Sequence, residues 1–185
     1  MNILAFDLGT TSGWAALVNG RFEHGAQNFS PGKHQGGGMR GLRFERFITE
    51  LLDSVRPGAV YFEKVRAHSN PGGGFNVDAA HIYGGLELIL TMTCDKRMIP
   101  YLGLDVGVIK RTATGKGNAS KDAMMTEAKR RGWQPHHGRG WDVKRTGDSD
   151  EADAMFILET GSIMNHGGGI AKLLAEYAAG PELLP

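Results

Sequence analysis

The sequence holds a single cysteine, Cys94, among its 185 residues. One thiol can form neither an intramolecular disulfide nor a cysteine-based zinc site, which suits a reducing cytoplasm. Proline is scarce, with seven residues, and hydrophobic residues make up 41%; that balance argues against wholesale disorder. No apolar run approaches the roughly 18 residues a membrane span needs, and the longest candidate, residues 86–94, contains Glu87. The first seven residues lack the basic start and apolar stretch of a signal peptide. Net charge is nearly absent too: 21 lysines and arginines face 20 acids.

Glycine, by contrast, is abundant. Its 28 residues are about twice the usual share and follow no G-X-Y period, which excludes collagen. Three Gly-Gly-Gly triplets fall at 36–38, 72–74 and 167–169. The near-zero net charge hides an uneven distribution. Residues 105–147 carry 10 basic and 4 acidic side chains, and residues 148–185 carry 1 basic and 7 acidic. A basic segment beside an acidic one points to a polyanionic partner, or else to a solvated basic face.

Hydrophobic periodicity predicts strands over residues 3–8, 14–18 and 21–29, with a hairpin at Asn19-Gly20. A helix follows over 39–55, its apolar positions including Leu42, Phe47, Ile48, Leu51, Leu52 and Val55. Residues 59–65 read as a buried strand, 78–96 as a helix apolar on more than one face, and 99–106 as a fifth strand. A short helix through Ile109-Lys110 is expected next. Ser120 is expected to cap a helix ending at Gly132. Asp148 opens the last core helix, with Glu151 three residues on in a capping-box pattern. The sum is an α/β fold: a mixed five-stranded sheet, three antiparallel strands and then parallel ones, flanked by helices. Residues 1–165 are expected to form one domain and 166–185 a glycine-hinged helical tail.

Four acids stand out. Asp7 ends the first strand and Glu63 lies near the end of the fourth. Asp150 and Asp153, three apart on a helix, share a face. A carboxylate in an apolar strand is costly unless it is paired or holds a metal, and an all-carboxylate set suits Mg²⁺ or Mn²⁺. In a two-metal site, ions about 3.5–4 Å apart clamp the attacking and leaving oxygens of a phosphodiester displacement, and Asp7 is the expected bridge. The plain alternatives are that Asp150 only answers the helix dipole, Asp7 only caps the turn at Thr10-Thr11, and Glu63 only pairs with Arg66. Asp148 competes with Asp150 for the metal. His136-His137 invites a metal reading but lacks an evident third ligand.

The string Asp7-Leu8-Gly9-Thr10-Thr11-Ser12-Gly13-Trp14, the segment Val60-Tyr61-Phe62-Glu63, the stretch Gly115-Lys116-Gly117-Asn118-Ala119-Ser120-Lys121 and the run Asp150-Glu151-Ala152-Asp153-Ala154 resemble, in order, the motifs of RuvC-type Holliday junction resolvases. The first string alone also opens sugar kinases of the actin-like fold. The resemblance implies a ribonuclease-H-like fold and a metal-dependent endodeoxyribonuclease that nicks two strands of branched DNA with two Mg²⁺ per site, Mn²⁺ substituting. It implies a homodimer packed through the helix over 78–96. Asp7, Glu63, Asp150 and Asp153 become the metal ligands and Lys121 the cation at the scissile phosphate. Lys110, Lys116 and Arg66 become DNA contacts, and Phe75 a base-stacking residue. A non-catalytic or RNA-processing relative and an actin-like kinase are the alternative readings.

Overall fold

The computed structural model describes residues 1–64, 77–140, 142 and 144–166. Strands β1 (Ile3–Asp7), β2 (Thr11–Val18) and β3 (Arg21–Asn28) form an antiparallel meander. Helix α1 (Gly38–Val55), strand β4 (Ala59–Lys64), helix α2 (Val77–Lys96) and strand β5 (Tyr101–Asp105) follow. Helices α3 (Val106–Thr114), α4 (Lys121–Arg130) and α5 (Asp148–His166) complete the order. The sheet runs β3-β2-β1-β4-β5, with β4 parallel to both β1 and β5.

Alternation along the strands divides the core in two. Leu4, Phe6, Val60 and Phe62 face α1 and α2, where Phe44, Ile48, Leu52 and Leu90 cover them. Ile3, Ala5, Ala15, Ala59 and Tyr61 face the other way, against α3, α4 and the apolar run Met155–Leu158 of α5. The buried stripe of α1 is Phe44, Ile48, Leu52 and Val55. Leu42, expected on that stripe, is exposed instead, because the i, i+4 series from Phe44 leaves it off the inward face.

The fifth strand ends one residue earlier than expected. Asp105 is still extended (φ −65°, ψ 133°), and Val106 already begins α3, which buries Ile109 and Ala113. That helix is a full element of nine residues rather than a passing turn. It closes at Gly115, whose φ of +77° is open to glycine at no cost. Ser120 caps α4 as its sequence suggests, its Oγ accepting from the Ala123 N–H at 3.2 Å. Arg131, just beyond α4, ties three helices together. It donates to Glu127, to Glu159 on α5 and to the Ala113 carbonyl, and it stacks over Trp133 and Phe156. The end of α4 is thereby fixed relative to α3 and α5.

Candidate active site

Asp7 lies two residues beyond Ala5 and Glu63 two beyond Tyr61, so both carboxylates leave the sheet on the α5 side. Their strands are parallel neighbours, with Phe6 opposite Phe62. The two acids therefore emerge side by side at the carboxyl ends of β1 and β4. The turn after Asp7 is closed by Ser12, whose Oγ accepts from the Gly9 N–H and donates to the Gly9 carbonyl at 2.9 Å. Asp7 is not spent on capping it.

Helix α5 supplies the other two acids, and glycines let it come close. Gly13 pairs directly with Asp7 across the β1–β2 ladder, and a Cβ on it would lie 1.8 Å from the Asp150 carbonyl oxygen. Only a bare backbone admits the helix there. Gly161 does the same at the far end, where a Cβ would overlap the Tyr61 ring. The helix thus crosses the sheet from β2 to β4 and carries Asp150 and Asp153 to the edge where Asp7 and Glu63 stand.

Electrostatics report the convergence. The Asp7 carboxyl is held well above the usual carboxylate range by burial and then by the charges of Asp153, Glu63 and Asp150, with Lys121 opposing. Asp7 is the acid that feels all three others. Burial, joined by Glu63 and Asp150, pushes Asp153 up to about 7 against the pull of Lys121 and Lys110. Glu63 is raised by burial, with Lys110 and Lys121 pulling down. Asp150 is raised by burial against Lys121, whereas a carboxylate serving only the helix dipole would be lowered. Lys121 acts on all four acids from the first residue of α4.

Hard oxygen donors with too few cations among them fit Mg²⁺ or Mn²⁺. Among the described residues, no three His, Cys, Asp or Glu side chains are already arranged to hold an ion. The acids lie within each other's field without closing into a cage, as mutually repelling charges do.

The competing Asp148 is spent elsewhere. It is buried and accepts from His137 Nε2 at 2.9 Å, the Asp142 N–H at 2.8 Å and Arg145 at 3.0 Å. Glu151 forms no capping box. Its fully buried carboxylate accepts from His24 Nδ1 at 2.5 Å, the His136 N–H at 2.8 Å and His136 Nδ1 at 3.2 Å. His136 and His137 thus have acids of α5 as partners. The pairing of Glu151 with His24 is not legible in the sequence, the two being 127 residues apart. The available signal is that Glu151 shares a helix face with Ala154 and Met155, three and four residues on, where a solvated acid is not expected. Of the proposed DNA contacts, Lys110 borders the acids. Lys116 is exposed in the α3–α4 connection and acts on none of them. Arg66 and Phe75 lie outside the described residues.

Against known proteins, no family model matches the chain. Over 128 residues it is 31% identical to the crossover junction endodeoxyribonuclease RuvC of Chlamydia abortus, an alignment spanning 66% of this chain and 74% of that protein. The chain belongs to the RuvC family. Among solved structures, RuvC of T. thermophilus in complex with a Holliday junction substrate superposes with a TM-score of 0.69 at 18% identity, over 91% of this chain and 96% of that one. The yeast mitochondrial Holliday junction resolvase Ydc2 superposes with a TM-score of 0.58 at 16% identity, over 92% and 82%. These likenesses establish the ribonuclease-H-like fold expected from the RuvC motifs, with its mixed five-stranded sheet. No helix among the described residues is long and apolar enough to cross a membrane.

Proposed function

We propose that this RuvC-family protein is a divalent-metal-dependent endodeoxyribonuclease that resolves four-way DNA junctions by paired nicks. The observation that carries the reading is the convergence of Asp7, Glu63, Asp150 and Asp153, each raised by burial and opposed by little more than Lys121 and Lys110. Those four carboxylates would hold Mg²⁺ or Mn²⁺, with Asp7 shared between two ions. The metals, when bound, supply Lewis acidity and a nucleophilic water at neutral pH.

The chain's own residues do the rest. Lys121, at the N-terminus of α4, meets a non-bridging phosphate oxygen together with the free N–H groups of the helix start. Without a phosphate, a cation at that helix end is unfavourable by about 0.3–1 kcal/mol, so the substrate relieves a local misfit. Lys110 sits on the flank of the acids and neutralises the adjacent phosphate. Lys116 and Arg66 extend the backbone contacts outward, and Phe75 stacks on a base at the opened junction. Such contacts give binding that weakens steeply with salt and shows little base preference.

Two nicks need two sites, and α2 offers a surface for a second copy. Val77, Leu88 and Met92 are exposed on it although the helix also buries Tyr83, Leu86 and Leu90. The Tyr83 hydroxyl donates to the Glu63 carbonyl, so the same helix touches the strand carrying a metal ligand.

The test is incubation of labelled four-way, three-way and linear duplexes with Mg²⁺, Mn²⁺ or EDTA. Symmetric nicks confined to the four-way junction are expected. Asp7→Asn, Glu63→Gln and Asp153→Asn should abolish cleavage and keep junction binding. Full cleavage by Asp7→Asn refutes the assignment, and binding without cleavage in either metal favours a non-catalytic relative.

A further inference from the structure

Helix α5 opens with four acids in six residues: Asp148, Asp150, Glu151 and Asp153. At 3.6 residues per turn, the pair 148/151 and the pair 150/153 point about 160° apart. The structure treats the two faces differently. Asp150 and Asp153 look toward Asp7 and Glu63. Asp148 and Glu151 look the other way and are fully provided with donors from β3 and from the segment before α5.

Glu151 is the inner of the two and is completely buried. A buried carboxylate with no partner would be expensive. Here His24 reaches it from β3, and His24 stands opposite Ala15, which stands opposite Ala5. The donor is therefore carried by the same sheet that carries Asp7. The backbone and ring of His136 close the other side. Burial works to raise the Glu151 pKa, and the bonds from His24 and His136 outweigh it and hold the group below its ordinary range. One strand, one loop and the first turn of α5 are thus joined at a single carboxylate. Gly147 packs against Ala26 and Thr11 beside it, so the start of α5 is held at two points.

We propose that His24 is a positioning residue for the metal-holding acids. Through the buried Glu151 carboxylate it fixes the rotation of the α5 N-terminus relative to β1, and so sets where Asp150 and Asp153 stand against Asp7. This rests on the site reading given above. Rotation matters more here than mere attachment. Glu151 lies between Asp150 and Asp153 in sequence, so a turn of the helix that frees Glu151 carries both metal ligands with it. Residues that orient metal ligands from outside typically contribute about 10–100-fold in metal affinity or activity.

The experiment uses the full chain and Mn²⁺ as probe, with binding read from the electron paramagnetic resonance of free Mn²⁺. His24→Leu should weaken Mn²⁺ binding about 10-fold and lower kcat by a similar factor. Its junction Kd in EDTA should stay at the wild-type value. His24→Asn, whose side-chain N–H takes the place of Nδ1–H, should restore most of both. His24→Leu leaves Glu151 buried beside an apolar group and can lose stability. The double variant His24→Leu/Glu151→Met removes the His24–Glu151 pair, keeps the volume filled, leaves the exposed His136 to water, and should bind Mn²⁺ as weakly as His24→Leu. Wild-type Mn²⁺ affinity and kcat in the double variant, or in a folded His24→Leu, would overturn the proposal. Asp153→Asn separates the two levels. If it loses Mn²⁺ binding while the double variant does not, positioning by His24 is wrong and the site stands. If it keeps wild-type Mn²⁺ affinity, the metal assignment itself is wrong.

Discussion

Replacing Gly13 by alanine adds one carbon and two hydrogens, yet it should cost the protein most of its activity. The new Cβ would stand 1.8 Å from the Asp150 carbonyl oxygen and 2.7 Å from the Glu151 nitrogen. Real Cβ atoms essentially never come within 3.0 Å of such atoms, so about 1 Å of separation must be found. Neither neighbour is the tip of a flexible side chain. Both are backbone atoms of α5, so the start of the helix must lift off β2 as a unit. Overpacking of this kind costs roughly 1–3 kcal/mol. The displacement also falls on the acids. Gly13 is the ladder partner of Asp7, so lifting Asp150 widens the gap between two of the four carboxylates. A misplacement of about 1 Å can cost about 10²-fold in rate. The expected result is junction cleavage reduced about 100-fold under saturating Mg²⁺, a lowered Tm, and junction binding in EDTA close to wild type. A Gly13→Ala protein that cleaves at the wild-type rate would refute the close approach of α5 as the device that sets the site.

Other consequences can be measured directly. Asp153, pushed up to about 7, keeps its proton in the folded state at pH 6 and loses it by pH 8, whereas the unfolded chain has released it well below. Its contribution to stability is therefore present at the acid side and is lost as pH rises from 6 to 8. Thermal melts without metal should show that decline, and Mg²⁺ should raise Tm more at pH 8 than at pH 6; an equal Mg²⁺ effect at both would argue against the carboxylate site. Gly161→Ala drives a Cβ into the Tyr61 ring, and denaturant titration should find it destabilised by roughly 1–3 kcal/mol. Burial pushes the Cys94 thiol up to about 12, so iodoacetamide at pH 8 should leave the native protein unlabelled and react only after unfolding.

Much of this site is legible in the sequence because charge in an apolar strand is conspicuous. Asp7 closes the run Ile3–Asp7 and Glu63 follows Val60, Tyr61 and Phe62, and no packing argument explains either acid. The spacing of Asp150 and Asp153 puts them on one face before any fold is known. The meander and the order of helices follow from periodicity and from Asn19-Gly20, where the turn residues have φ of 51° and 80°. What stayed hidden is non-local. Glu151 fits a capping pattern by spacing alone, and only the approach of His24 from β3 gives it another task. His136 and His137 suggest a metal site until their partners on α5 are seen. Helix α3 is short, and Val106 reads equally well as the last residue of a strand. Leu42 fits a helical period but falls outside the arc that the sheet covers.

The opposed acid faces of α5 carry a consequence for sequence drift. Four acids in six residues look redundant, as though a lost one could be replaced by its neighbour. They are not interchangeable. Each step along the helix turns a side chain by about 100°, so an acid moved from 150 to 151 leaves the face toward Asp7 and Glu63 and enters the pocket of His24 and His136. An acid moved from 151 to 150 leaves those histidines facing a carbon. A single inserted or deleted residue within this turn would rotate the acids that follow it by about 100°, breaking the phase of both faces at once. The acids of this segment are held to their phase.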